Sequence, residues 1–166
     1  MIPDPAFYAR RIALFVTGLN PQVVTETLWS LAHASSPFVP TEISLLTTTE
    51  GRSRALLLLL PSAQAGSEGP AALAALGRDI GVPKLGALLP LGAIHVIRDA
   101  AGTPLDDIAD EAANIAAADA ITGLIRDFTA DPAAALHVSI AGGRKTMGFL
   151  AGYALSLFGR PQDRLS

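Results

Sequence analysis

The sequence predicts a doubly wound α/β fold, in which helices flank a mostly parallel β-sheet. Short apolar runs, typical of strands buried on both faces, alternate along the chain with segments of helical periodicity. Glycine, proline, asparagine and threonine follow several of these runs and indicate turns between strands and helices. The chain has 166 residues, of which 50% are hydrophobic and 16% charged, so it can bury the core of one ordinary domain. We therefore expect a single domain over residues 1–166.

The predicted elements alternate in the order that this fold requires. The first strand is a continuous apolar run, and Asn20 and Pro21 after it are typical of an N-cap and a first helical residue. The helix that follows has apolar residues close to a 3.6-residue period, until Pro37 and Pro40 break it. The predicted strands are 11–16, 42–48, 93–97 and 136–140, and the predicted helices are 21–33, 51–60, 71–80, 105–129 and 144–158, with a loop at 61–70.

The stretch 136–149 carries the clearest chemistry. An apolar strand runs into the turn 141–143, which contains two glycines, and Arg144, Lys145 and Thr146 then open an apolar helix. Glycines let the backbone approach a ligand closely, and the first turn of a helix offers free N–H groups and the positive end of its dipole to an anion. The spacing is not that of a P-loop, because an arginine separates the second glycine from the lysine, and no GxGxxG fingerprint is present. The segment predicts a phosphate-binding turn, with a plain basic connection between strand and helix as the alternative.

A second polar turn follows the first strand, and the second strand ends in threonines. In doubly wound folds, ligands bind at the carboxyl ends of the strands, near a topological switch point. The turn after the first strand offers a hydroxyl, a glycine and two amide side chains. We expect these turns to form one composite ligand site. Its candidate residues are Thr17, Gly18, Leu19, Asn20, Gln22, Thr47, Thr48, Ala141, Gly142, Gly143, Arg144, Lys145 and Thr146.

Composition narrows the range of functions. A net charge of −3 argues against a broad surface for long nucleic acids, which bind through many cations. The chain has no cysteine, and His33, His95 and His137 are widely separated, so we expect neither a metal site nor a cofactor. The first residues lack the layout of a secretory signal, and the apolar run 56–60 is too short to span a membrane. We expect a soluble, cytoplasmic protein.

Two segments carry a resemblance to a known family. Residues 16–28 read Val-Thr-Gly-Leu-Asn-Pro-Gln-Val-Val-Thr-Glu-Thr-Leu, and residues 139–147 read Ser-Ile-Ala-Gly-Gly-Arg-Lys-Thr-Met. Both resemble the CARF (CRISPR-associated Rossmann fold) domain and, more narrowly, the Csm-type CRISPR-associated ring nucleases, a branch that residues 99–108 also fit. The resemblance implies a Rossmann-like homodimer that binds a cyclic oligoadenylate, the second messenger of type III CRISPR immunity, with a tetra-adenylate ring favoured over a hexa-adenylate. A two-fold dimer offers the same pocket to each half of such a ring.

The resemblance also implies an activity and roles for the site residues. Ring nucleases of this kind cleave the messenger without a metal: a ribose 2′-hydroxyl attacks the adjacent phosphate and leaves a 2′,3′-cyclic phosphate. Lys145 matches the functional lysine of the family and is expected to stabilise the transition state, while Thr17 orients the hydroxyl or a phosphate. Asn20 and Gln22 are expected at ribose or adenine edges, and Arg144 at a phosphate or across the dimer. Purely structural roles, a helix cap for Asn20 and a turn contact for Thr17, stay open.

Three functions stay open from the sequence. The first is a ring nuclease that switches off signalling by destroying the messenger. The second is a non-catalytic sensor that regulates a missing or partner effector domain; it is favoured by a chain that looks truncated, since a further strand usually follows the last helix of such a fold. The third is an unrelated α/β domain that binds mononucleotides. The Arg-x(4–6)-His motif of the HEPN ribonuclease domain of many relatives is absent from the sequence, so no HEPN domain and no degradation of RNA are expected.

Overall fold

The computed structural model describes residues 3–60 and 71–166, and its centre is a five-stranded, fully parallel sheet. The most apolar strand lies in the middle and pairs with a neighbour on each side. The predicted α/β, Rossmann-like fold class is therefore confirmed. The strands are β1 (Arg10–Val16), β2 (Glu42–Thr47), β3 (Ile94–Val96), β4 (Ala134–Ser139) and β5 (Arg164–Leu165), in the order β3-β2-β1-β4-β5.

Helices cover both faces of this sheet. They are α1 (Gln22–Ala32), α2 (Thr49–Leu59), α3 (Ala72–Asp79), α4 (Glu111–Thr129) and α5 (Lys145–Phe158). Leu14 of β1 packs with α4 and α5 on one face, and the next residue, Phe15, packs with α1, α2 and α3 on the other. Successive side chains of a strand point to opposite faces, so a strand buried on both faces is apolar throughout. The predicted loop at 61–70 lies outside the described residues. None of the helices within the described ranges is long and apolar enough to cross a membrane.

The longest helix begins later than its sequence predicts. Residues 105–110, which we assigned to the helix 105–129, form a loop, and α4 begins at Glu111. The physical reason is the side chain of Asp110, which accepts a hydrogen bond from the backbone N–H of Ala113 at 2.8 Å and caps the helix there. The backbone of Leu105 is also engaged elsewhere, since its N–H donates to the carbonyl of Ile97 and its carbonyl accepts from the N–H of Thr49, both at 2.9 Å. The boundary matters because this loop reaches the functional site.

A fifth strand follows the last helix, although no strand was predicted there. Arg164 and Leu165 of β5 pair in parallel with β4. The connection is fixed by charge: the buried carboxylate of Asp163 pairs with Arg160 at 2.8 Å and accepts from the backbone N–H of Leu136 at 2.8 Å. β5 is an edge strand without an apolar pattern of its own. Polar side chains that find their hydrogen-bond partners in β4 and its flanking loop hold it in place.

The strand order reverses beside β1, which is the topological switch point of the sheet. Strands β2 and β3 lie on one side of β1, whereas β4 and β5 lie on the other. The connections that leave β1 and β4 therefore diverge, and a crevice forms outside their carboxyl ends, where doubly wound folds bind ligands. Both of the glycine-containing turns identified in the sequence begin there.

Candidate functional site

The two glycine turns meet directly at the switch point. The backbone N–H of Gly18, after β1, donates to the carbonyl of Gly142, after β4, at 2.9 Å. Gly142 has φ +82°, which only glycine adopts without strain, and a Cβ on it would lie 2.7 Å from a methyl group of Val23. A Cβ on Gly143 would lie 2.8 Å from the carbonyl oxygen of Val16. The structure thus brings two of the three turns expected to form a composite site into direct contact, which the glycines permit, and the third turn contributes Thr48 beside them.

A small cleft of about 260 Å³ opens beside these turns. Among the residues that line it, two carry a charge: Arg144, at the N-terminus of α5, and Asp107, from the loop before α4. The lining consists of Gly18, Leu19, Thr48, Asp107, Ile108, Gly142, Gly143, Arg144 and Met147.

Arg144 and Asp107 form an ion pair across the mouth of the cleft. Arg144 Nη2 lies 2.6 Å from Asp107 Oδ2 and 2.7 Å from Oδ1, and Nε lies 3.2 Å from Oδ1. The hydrogen bond from Arg144, followed by one from the backbone N–H of Ile108, lowers the pKa of the Asp107 carboxyl below its usual value. The same pairing raises the pKa of Arg144. The sequence did not reveal Asp107 as a site residue, because 37 positions separate it from its partner and no local pattern marks it.

Two of the four candidate threonines support the turn and have almost no surface open to a ligand. Thr17 is only 1% exposed and Thr47 is 0% exposed, and the hydroxyl of each donates to the carbonyl of Gly18 at 3.4 Å. We expected Thr17 to act on the ligand and Thr47 to bind it. In this structure both hydroxyls face the protein, because both are bound to the carbonyl of Gly18, and neither residue lines the cleft. Thr48 does line the cleft, and its Oγ1 accepts from the N–H of Gly51 at 3.3 Å, which caps α2.

Lys145 and Thr146 lie on a different surface from Arg144. Both are exposed and line a separate groove of about 540 Å³ between α4 and α5. The groove is mostly apolar, with Ile115 of α4 and Phe149 of α5 in its walls and Glu111 at its polar end. It begins at the same edge of the sheet as the cleft, since α4 and α5 both start at the carboxyl ends of parallel strands. The structure therefore places the two adjacent cations at neighbouring but distinct sites.

The groove continues into an exposed apolar ridge along α5. Phe149, Tyr153 and Leu157 recur every four residues after Lys145 and are 72%, 57% and 58% exposed. A four-residue spacing places side chains along one stripe of a helix. This α5 ridge, together with Ile115 of α4, is an apolar surface with a cation at one end.

Asn20 and Gln22 line a third surface. With Leu19 and Pro21, they face the side chains of α2 across an open depression of about 670 Å³. Asn20 Oδ1 also accepts from the N–H of Gln22, the first residue of α1, at 3.3 Å, and Pro21 between them is the N-cap of the helix. Leu19 lines both the depression and the cleft, so the two adjoin at this residue. Ala141 is half-buried in the turn before Gly142 and does not line the cleft.

Comparison with known proteins identifies a family for most of the chain. Residues 20–166 match the family model of CRISPR-associated protein NE0113. A comparison with curated proteins finds no match. The matched range begins at Asn20 and includes the Gly142–Gly143 turn, the ion pair and both helices of the groove.

Proposed function

The chain belongs to the CRISPR-associated protein NE0113 family, and we propose that it binds a cyclic oligoadenylate at the switch-point cleft and cleaves the ring. The observation that carries this proposal is the contact between the two glycine turns, 2.9 Å from Gly18 N to Gly142 O, beside the N-terminus of α5. Close backbone, helical N–H groups and the guanidinium of Arg144 are the donors that bind a phosphodiester.

The size of the cleft supports a ligand that extends beyond it. A volume of about 260 Å³ is below the roughly 300–1,000 Å³ of pockets that bury a whole small molecule. The cleft therefore suits one sugar–phosphate unit of a larger ring. The depression at Asn20 and Gln22 adjoins the cleft at Leu19 and offers room for a neighbouring nucleotide, and the groove that contains Lys145 begins one residue after Arg144.

In the proposed reaction, a ribose 2′-oxygen forms a bond to the adjacent phosphorus while the bond to the 5′-oxygen breaks. The products are a 2′,3′-cyclic phosphate and a free 5′-hydroxyl, with the proton of the 2′-hydroxyl ending on the 5′-oxygen by way of solvent. The protein contributes in-line positioning and cations near the charge that develops on the phosphate and leaving oxygen. We assign Lys145 as the catalytic cation and Arg144 as a phosphate ligand.

We also propose that two copies associate through the α5 ridge and the groove beside it. Four large apolar side chains of this face are each more than half exposed: Phe149, Tyr153, Leu157 and Ile115. If a fully exposed large side chain has ~150–250 Å² of surface, together they expose about 500 Å². Lys145 and Glu111 add a rim of both charges, so this face has the apolar centre and charged rim of an interface, and its apolar side chains supply more than half of the roughly 800 Å² that each subunit of a stable complex buries. If the two-fold axis runs parallel to α5, the two Lys145 side chains, at the N-terminal end of each ridge, lie beside each other at one shared site.

A non-catalytic sensor is the second candidate function, and one observation favours it. The cleft offers no free general base among its lining residues: Asp107 is its carboxylate and is bound to Arg144, and the hydroxyl of Thr17 is buried. A sensor needs only the donors that hold the phosphate, and these are present whether or not the ring is cut.

Incubation with cyclic tetra-adenylate and cyclic hexa-adenylate in EDTA, followed by separation of linear products, tests the activity. We expect cleavage by the natural protein and none by Lys145→Ala. Lys84→Ala is the matched control, because Lys84 is the other lysine of the chain, is exposed between α3 and β3, and lines neither the cleft nor the groove. Tight binding without products selects the sensor, whereas binding of ATP but of neither ring contradicts both functions.

A further inference from the structure

The two charged side chains of the cleft are bound to each other in the structure. We propose that Asp107 competes with the ligand phosphate for Arg144 and so sets the ligand concentration at which the cleft fills. This inference rests on the proposed function, because it concerns regulation of the same site. It assigns a role to Asp107, which belongs to neither of the glycine turns.

The geometry of the pair explains the competition. Arg144 uses Nε and Nη2 to bind the carboxylate, with N···O distances of 2.6–3.2 Å. This edge of the guanidinium is one of the two that present parallel N–H donors to the oxygens of a carboxylate or a phosphate. A phosphate that takes this edge must displace the carboxylate, because both need the same hydrogens.

The loop that carries Asp107 is anchored, so the exchange involves side chains and leaves the backbone in place. Leu105 makes backbone hydrogen bonds to Ile97 and Thr49, and the hydroxyl of Thr49 donates to Asp106. The backbone N–H of Ile108 donates to Asp107 Oδ1 at 2.8 Å and holds the carboxylate at the cleft. Arg144, an exposed side chain with many rotamers, is the partner that changes position when a phosphate binds.

The ion pair lowers the affinity of the cleft for an anion through its effect on charge. Arg144 and Asp107 cancel, so the lining has no net charge while the pair is closed. The apparent affinity for an anion is reduced by the fraction of molecules in which Arg144 is already occupied, and by repulsion from the carboxylate. Removing the negative charge while keeping the side-chain shape is expected to tighten binding by about three- to tenfold, the effect of one exposed charge a few ångströms from a phosphate.

The test is an equilibrium binding titration with Asp107→Asn. Asparagine keeps an oxygen that can accept from Ile108, so the loop is expected to retain its shape. Asp127→Asn is the matched control, because Asp127 is another exposed aspartate paired with an arginine, at the far end of α4. We use two probes, cyclic tetra-adenylate measured by calorimetry and inorganic phosphate followed through the NMR signal of Arg144 Nε–H.

Tighter binding of both probes to Asp107→Asn, with Asp127→Asn equal to the natural protein, supports the proposal. Equal or weaker binding to Asp107→Asn overturns it, and so does an equal gain in Asp127→Asn, which would trace the effect to net charge. If the natural protein binds no cyclic oligoadenylate, the proposed function fails, and the phosphate titration still decides whether Asp107 occupies Arg144 in competition with an anion.

Discussion

Replacing Gly142 with alanine tests the turn that joins the two halves of the cleft. Two penalties add at this position. A non-glycine residue at φ +82° costs about 1–2 kcal/mol, and the new methyl group lies 2.7 Å and 2.9 Å from the two methyl carbons of Val23, which adds about 1–3 kcal/mol of overpacking. We expect the free energy of unfolding to fall by about 2–5 kcal/mol, measured by urea denaturation, and the Gly18–Gly142 contact to loosen.

Gly81 and Gly102 provide matched controls for this experiment. Both have positive φ, +75° and +84°, yet a Cβ on either meets nothing within 4 Å. Alanine at these positions therefore isolates the backbone penalty of about 1–2 kcal/mol. If Gly142→Ala costs no more than Gly81→Ala, the close approach of Val23 does not constrain the turn, and our account of why glycine is required there is wrong.

A second variant separates packing from backbone strain at the same site. Val23→Ala removes the methyl groups that the new side chain meets, so Gly142→Ala combined with Val23→Ala is expected to cost less than the sum of the single changes. The difference, an interaction energy of about 1–2 kcal/mol, is within the range found for residues in contact. Strict additivity of the two changes would contradict the clash.

Three further predictions concern other parts of the molecule. Phe149→Glu should convert the proposed dimer to a monomer in analytical ultracentrifugation, whereas Leu57→Glu, at another exposed apolar position, on α2, should leave it a dimer. Burial, and then the charge of Arg164, lowers the pKa of His137 to about 4; stability should therefore decline as the pH falls from 6.5 toward 4, by about 2 kcal/mol between pH 7 and 5, and His137→Gln should remove this loss. Gly123→Ala, inside α4 where a Cβ meets nothing within 4 Å, should raise the melting temperature through a gain of about 1 kcal/mol.

The strands and the glycine turn were predictable because their causes are local. A strand buried on both faces is largely apolar, and the continuous run 12–16 of β1 and the mostly apolar residues of β4 show this directly. The turn after β4 needs a positive φ and a close approach to β1, and both requirements appear in the sequence as glycine. The fold class and the location of the cleft follow from these features, since the fold brings the carboxyl ends of adjacent parallel strands together.

The parts of the site that were not predictable depend on distant contacts. Asp107 reaches Arg144 from a loop that follows β3, and its role depends on where α4 begins, which the cap at Asp110 decides. The burial of Thr17 and Thr47 depends on their common acceptor, the carbonyl of Gly18, and thus on the path of the neighbouring turn. β5 could not be found from an apolar pattern, because it has none. The side chain of Asp163, just before the strand, fixes it to β4.

Arg144 and Lys145 are adjacent in the sequence but lie at different sites. Arg144 is the N-cap of α5, with φ −64° and ψ 149°, and Lys145 is the first helical residue. The chain changes direction between them, and successive helical side chains then point about 100° apart, so one cation reaches the cleft and the other the groove. Arg144 and Asp107 cancel each other's charge within the cleft. A cation without a partner must therefore reach the ligand from a neighbouring surface. The proposed two-fold contact would supply that surface, and for this reason we expect Phe149→Glu to weaken ring cleavage as well as association, although Phe149 itself does not line the cleft.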